Sequence, residues 1–156
     1  MFSELLNSTY QPDNNKLASL IDTPQKGLSE AIFNIGVIFR DYQSDIAQIF
    51  TSLALYLNDS NDVARISIAD LLEKSQRYGE AIKQYEKVDF KSPLYYMANL
   101  KIAAIYLDNK KHKESTQKLK QLLNYYPDDY NVLFNLGEIN RITENYKDAI
   151  IIRIIV

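Results

Sequence analysis

An interval of 34 residues recurs along the chain and constrains its fold more than any other feature of the sequence. Pro93 and Pro127 are separated by this interval, and so are Ala69, Ala103 and Gly137. A chain with such a period folds as a row of similar units, each of which buries its apolar face against the next. The same interval, or twice its length, separates Leu72 from Tyr106, Val88 from Leu122 and Tyr78 from Tyr146.

Each unit has the apolar spacing of two amphipathic helices. In "RYGEAIKQYEKV", Tyr78, Ala81, Ile82, Tyr85 and Val88 follow steps of three or four residues, which place them on one face of a helix. The preceding segment, "DVARISIADLLEKS", has the same kind of spacing and is predicted to be the first helix of the pair. A proline closes each unit because its ring cannot continue the interior of a helix.

Small residues occupy equivalent positions on the two helices of a unit. Ala69 is matched with Ala81, and Ala103 with Ser115. Two helices that cross closely need small side chains at the contact, so we expect these residues to lie where the helices touch. Asp129, which follows the closing proline at 127, is a good residue type for capping the next helix.

The period of 34, the Leu-Gly pair in "LFNLGEIN" and the closing proline together resemble the tetratricopeptide repeat. The resemblance implies an all-α fold, a right-handed α-solenoid of antiparallel helix pairs with about 3.5 repeats. The expected organisation is an irregular or partly helical arm at 1–27, a degenerate helix pair at 28–61, repeats at 62–95 and 96–129, and an incomplete repeat at 130–156. The pair at 28–61 is in phase with the others only if one residue is missing from its turn, "RDYQSD".

The order of motifs between residues 27 and 107 also resembles an internal section of a group of long bacterial tetratricopeptide proteins. That resemblance implies that the chain corresponds to part of a longer ancestor. The segment "IIRIIV" at 151–156 breaks the pattern of alternating apolar and polar residues. We predict that the reading frame leaves the ancestral repeat near Ile150 and Ile151, and the alternative is an adhesive end that supports self-association.

Motifs of catalysis and of metal or cofactor binding are missing from the sequence. There is no cysteine, no HExxH and no glycine-rich phosphate loop, and His112 is the one histidine. The lysines of "KKHKESTQKLK" lack interleaved aromatic residues, so a solvated helix face is favoured over a nucleic-acid site. We therefore predict a non-enzymatic protein without cofactor or metal. The start lacks the features of a signal peptide and no apolar run is long enough to span a membrane, so the cytoplasm is the default expectation.

The resemblance also implies a binding surface, because the first helix of each pair lines the inner groove of a tetratricopeptide solenoid. The leading hypothesis is a protein-interaction module that binds a peptide or a partner protein in this groove, the partner's identity being open. The alternative is a structural segment, or a degraded remnant, of a longer scaffold. Phe33, Ile66, Leu100 and Phe134 would form an apolar rail, unless they serve ordinary packing between helices. The predicted groove positions are Phe33, Asn34, Val37, Ile66, Ser67, Asp70, Leu100, Lys101, Ala104, Phe134, Asn135 and Glu138.

Overall fold

The computed structural model describes residues 23–143, all of whose regular elements are α-helices. The chain divides into two compact units, Met1–Asn61 and Asp62–Val156. The predicted arm up to residue 22 and the Ile-rich segment at 151–156 lie outside the described residues. Within residues 23–143, no helix is both long and apolar enough to cross a membrane.

The first unit contains helix α1 (Pro24–Phe39) and helix α2 (Ser44–Leu57). Helix α1 begins at Pro24, which is earlier than the boundary expected at residue 28. Its start is fixed by Thr23, whose side chain accepts a hydrogen bond from the backbone N–H of Lys26 at 3.3 Å. Proline suits the first turn because its missing N–H would have no partner inside the helix.

A glycine brings α1 and α2 close together. A Cβ added to Gly36 would lie 2.8 Å from Thr51 Oγ1 and 3.3 Å from the carbonyl oxygen of Ala47. Beside this contact, the rings of Phe39 and Phe50 stack with centroids 6.2 Å apart. The pair therefore packs as the small-residue pattern of the other units predicts, with glycine on one helix and alanine on the other.

The described part of the second unit, residues 62–143, contains five helices. They are α3 (Asp62–Lys74), α4 (Tyr78–Tyr85), α5 (Tyr95–Asp108), α6 (His112–Leu123) and α7 (Tyr130–Ile142). The short turns at 75–77 and 109–111 place α3 beside α4 and α5 beside α6 as antiparallel pairs. In the first unit the turn covers residues 40–43, and Gly36 and Ala47 are 11 residues apart, one fewer than Ala69 and Ala81.

The small residues meet as predicted. Ala69, Ala81, Ala103 and Ser115 are all buried, and the Ser115 hydroxyl donates a hydrogen bond of 2.8 Å to the carbonyl oxygen of Ala103. The extensive contacts of each helix in this unit are with the helix before or after it in the sequence. The spacing predicted that α4 extends to Val88, but the helix ends at Tyr85. Val88 is still buried, although it lies in the turn after the helix.

The core that supports the end of this unit lies between α5, α6 and α7. Its buried residues are joined at their edge by partly buried apolar side chains, including Leu100 and Leu107. Asp129 caps α7, as the sequence predicted, because its side chain accepts a hydrogen bond of 3.0 Å from the backbone N–H of Val132. The buried members of this core are Ala103, Leu119, Leu122, Val132, Leu136 and Ile139.

Two residues with positive φ end the first helices of the two complete pairs. Gln76 and Lys110 both have φ of 59° and are themselves 34 residues apart. The N–H of Arg77 donates to the carbonyl of Leu72 at 2.8 Å, and the N–H of Lys111 repeats this bond with Tyr106 at 2.8 Å. This is the Schellman arrangement, in which the left-handed position usually holds glycine.

We predict that Gln76→Gly and Lys110→Gly each raise the free energy of unfolding by about 0.5–1 kcal/mol. A left-handed conformation is strained for a residue with a Cβ, whereas glycine adopts it freely. Chemical denaturation followed by circular dichroism measures the change. The matched control, Lys74→Gly, lies in helical backbone and should lower stability by about 1 kcal/mol. Equal losses in all three variants would contradict the prediction.

Candidate functional site

Helix α1 carries the three predicted groove positions of the first unit. Phe33 is buried, whereas Asn34 and Val37 are exposed. Phe33 is therefore a packing residue. The predicted positions that a partner could touch on this helix are Asn34 and Val37.

Helix α3 offers little side-chain surface at two of its three predicted positions. Ile66 is 6% exposed and Ser67 is 5% exposed, so both are packing residues in the structure. The interpretation of the apolar rail as inter-helix packing thus holds for Phe33 and Ile66. Asp70, one turn further along α3, keeps a partly exposed carboxylate.

Helices α5, α6 and α7 enclose a cavity of about 330 Å³, which we call the anchor cavity. Four predicted positions line it together, namely Leu100, Lys101 and Ala104 from α5 and Asn135 from α7. Its wall is mainly apolar and reaches the core at Leu119. A cavity of this size, with an apolar wall and a few polar groups, suits one large apolar side chain of a ligand. The remaining lining residues are Met97, Ala103, Leu107, Asp108 and Ser115.

A group of charged side chains, which we call the polar rim, adjoins this cavity and consists of Asp70, Glu73 and Lys101. The Lys101 Nζ lies 3.4 Å from Asp70 Oδ1 and 3.4 Å from Glu73 Oε2. The hydroxyl of Tyr85, from α4, lies 2.5 Å from Asp70 Oδ1 and 3.0 Å from Glu73 Oε2. One hydroxyl proton can satisfy only one of these two acceptors at a time.

The pKa values of Lys101 and Tyr85 follow from this geometry. Desolvation lowers the pKa of Lys101, but attraction to the carboxylates of Asp70 and Glu73 outweighs it, and the pKa is raised overall. Burial raises the pKa of Tyr85, and its hydrogen bond to Asp70 and the charges of both carboxylates raise it further. Lys101 is therefore cationic and Tyr85 neutral at physiological pH.

Helix α7 presents the other predicted positions. Phe134 is 51% exposed and its ring stacks on that of Tyr130, which is 59% exposed, with centroids 6.2 Å apart. Glu138 forms an ion pair of 2.8 Å with Arg141, whose hydrogen bond lowers the pKa of the Glu138 carboxyl. Sequence reasoning missed Tyr130 and Glu73, although each lies one helical turn from a predicted position and therefore on the same face.

A second group of aromatic rings lies where the repeat units join. The rings of Phe90, Tyr95 and Tyr125 have centroids 5.5–6.3 Å apart, and those of Tyr96 and Tyr126 are 5.1 Å apart. The hydroxyl of Tyr96 donates to Asp129 Oδ1 at 2.8 Å. These contacts are edge-on or tilted, and those of Phe90 and Tyr95 with Tyr125 join two neighbouring units, so we interpret the group as packing between units.

The histidine and the lysines of "KKHKESTQKLK" do not line the anchor cavity. His112 is half-buried at the start of α6, and its Nδ1 atom is buried without a hydrogen-bond partner. Among residues 23–143, no three His, Cys, Asp or Glu side chains are grouped to hold a metal ion.

Comparison with solved structures identifies the fold. The chain is similar to MamA from Desulfovibrio magneticus RS-1, with a TM-score of 0.64, 17% identity, and 80% of this chain and 71% of that chain covered. It is similar to PilF of Pseudomonas aeruginosa, with a TM-score of 0.68 and 15% identity over 81% of this chain and 59% of that one. It is also similar to a tetratricopeptide repeat protein from Parabacteroides merdae, with a TM-score of 0.67 and 17% identity over 80% of this chain and 49% of that one.

No protein-family model and no curated protein matches the sequence. The predicted fold class is nevertheless confirmed, because the helix pairs and the similar structures are those of an all-α tetratricopeptide-type fold. At these levels of identity the likeness concerns the fold, and the function has to be argued from the anchor cavity and the polar rim.

Proposed function

We propose that this chain is a non-enzymatic protein-interaction module that binds a peptide segment of a partner protein along α3, α5 and α7. The observation that carries the proposal is the anchor cavity, where side chains of α5 and α7 surround an apolar space open to a ligand. Repeat folds of helix pairs commonly present such surfaces to extended peptides. The polar rim beside it supplies groups that would fix the peptide's register.

Leu100 and Ala104 contribute differently to the anchor cavity. Leu100 is partly buried against the core, and its outward surface forms the apolar wall of the anchor cavity. Ala104, one turn along α5, is exposed and leaves the mouth of the cavity open. The exposed ring pair of Tyr130 and Phe134 on α7 would extend the apolar contact beyond the cavity.

We predict that Ala104→Glu lowers the affinity for bound peptides by at least about 10-fold, equivalent to about 1.4 kcal/mol. The substituted carboxylate would have to be desolvated at the mouth of an apolar cavity when a peptide enters. Peptides are first selected from a phage-displayed library of random dodecapeptides on the immobilised chain, and affinities are then measured by calorimetry.

Gln117→Glu is the matched control, because it adds the same charge at an exposed position of α6 that does not line the anchor cavity. It should leave the affinity unchanged. If no peptide is selected, or if Ala104→Glu binds as tightly as the parent chain, the proposed function is wrong.

A second candidate function is a structural segment of a larger helical scaffold. It is favoured by the first unit, where several large apolar side chains are exposed, including Tyr42 and Tyr56 at more than four-fifths of their surface. Neighbouring repeats of a solenoid bury such surfaces against each other. A failed peptide selection together with aggregation of the isolated chain would favour this candidate.

A further inference from the structure

We infer that the partner peptide carries a lysine or arginine next to a large apolar residue, with the apolar side chain in the anchor cavity and the cationic group at the polar rim. This inference rests on the proposed function and deepens it by naming the chemistry of the partner. It is carried by the juxtaposition of an apolar cavity with a rim in which carboxylates outnumber ammonium groups.

The balance of charge at the cavity is negative. Among residues 23–143, Lys101 is the one cationic residue that lines the cavity, and its ammonium is already 3.4 Å from the carboxylates of both Asp70 and Glu73. One ammonium cannot neutralise two carboxylates, and Asp108 contributes a further carboxylate from the cavity lining itself. A ligand that enters the cavity therefore meets a net negative rim, which favours a cationic partner and repels an acidic one.

The carboxylates also keep capacity to accept hydrogen bonds. The contacts of Lys101 and Tyr85 fall on one oxygen of each carboxylate, Asp70 Oδ1 and Glu73 Oε2. The side chains of Asp70 and Glu73 are both about one-third exposed, so a donor group of a ligand can approach them. A guanidinium, with its planar fork of N–H donors, suits two carboxylates held side by side.

The anchor cavity and the polar rim lie close enough together to be contacted by neighbouring residues of one peptide. Lys101 belongs to both, since it lines the anchor cavity and contacts the polar rim. Leu100, the next residue on α5, forms the apolar wall. A peptide whose apolar residue fills the cavity therefore places a neighbouring side chain within reach of Asp70 and Glu73, and the expected ligands combine one large apolar residue with an arginine or lysine close to it in sequence.

The test compares three variants of the full chain on peptides selected from the random dodecapeptide library. The inference expects selected peptides to be enriched in arginine or lysine close to leucine, isoleucine, methionine or phenylalanine. Asp70→Asn/Glu73→Gln should weaken their binding about 10-fold. Lys101→Met should strengthen it at least about threefold, because it removes the competing ammonium, and a gain of affinity cannot arise from loss of folding.

The control variant, Asp128→Asn/Glu86→Gln, removes two exposed carboxylates that do not line the cavity and should leave binding unchanged. Peptides that depend on Ala104 but carry no cationic residue, or that bind more weakly to Lys101→Met, would overturn the inference and leave the proposed function standing. A library that yields no peptide, or only peptides indifferent to Ala104→Glu, would overturn both.

Discussion

Replacing Leu119 with alanine is expected to lower the free energy of unfolding by about 2–5 kcal/mol. Leu119 is 1% exposed and lies in the core that α6 shares with α5 and α7. Truncation removes buried apolar surface and leaves a void, because the surrounding helices can relax only in part. Urea denaturation followed by far-ultraviolet circular dichroism gives the change in unfolding free energy.

Leu123→Ala supplies the matched control for this substitution. Leu123 is on the same helix and carries the same change of side chain, but it is only partly buried at the edge of the core. Leu123→Ala should lower the free energy of unfolding clearly less than Leu119→Ala does. Equal losses at the two positions would contradict the prediction, because the depth of burial would then not determine the cost of truncation.

Gly36→Ala is expected to destabilise the first unit, whereas Gly79→Ala stabilises the second. The new Cβ at position 36 would lie 2.8 Å from Thr51 Oγ1, which is held by a hydrogen bond of 2.7 Å to the carbonyl of Ala47. Overpacking of this kind costs about 1–3 kcal/mol and exceeds the gain in helix propensity. At Gly79 nothing lies within 4 Å of the added atom, so alanine should add up to about 1 kcal/mol.

Thr51→Ala provides the second test of the close contact in the first unit. It removes the atom that the new Cβ would meet, so the cost of Gly36→Ala should be smaller in the Thr51→Ala background than in the parent chain. Thermal unfolding of the four chains of this double-mutant cycle measures the coupling. Additive effects would mean that α1 and α2 separate to admit the methyl group without contact at Thr51.

Much of the helix-pair architecture could be predicted from the interval of 34 residues. The interval placed Ala103 and Ser115 opposite each other, where the structure has them joined by a hydrogen bond. Repeats are informative in this way because every unit packs in the same geometry, and equivalent positions therefore carry side chains of similar size.

Other features have no signal in the repeat. Gln76 and Lys110 adopt a left-handed conformation although neither residue type favours it, so sequence alone could not mark them. The resemblance to the tetratricopeptide repeat indicates which helix face lines the groove but not what covers it, so Ile66 was expected in the groove and is instead buried. Tyr85 was assigned to packing, and its hydroxyl was overlooked because its partners, Asp70 and Glu73, are on another helix.

The short reach of the helix contacts in the second unit has a consequence for how this unit folds. Because each helix between residues 62 and 143 makes its extensive contacts with its neighbours in the sequence, no contact of this kind in that range requires the closure of a long loop. Chains with such low contact order fold rapidly, on the order of microseconds to milliseconds. Folding can begin at either helix pair and spread to the next, so hydrogen exchange in this unit should reveal pairs that open separately before the whole unit unfolds.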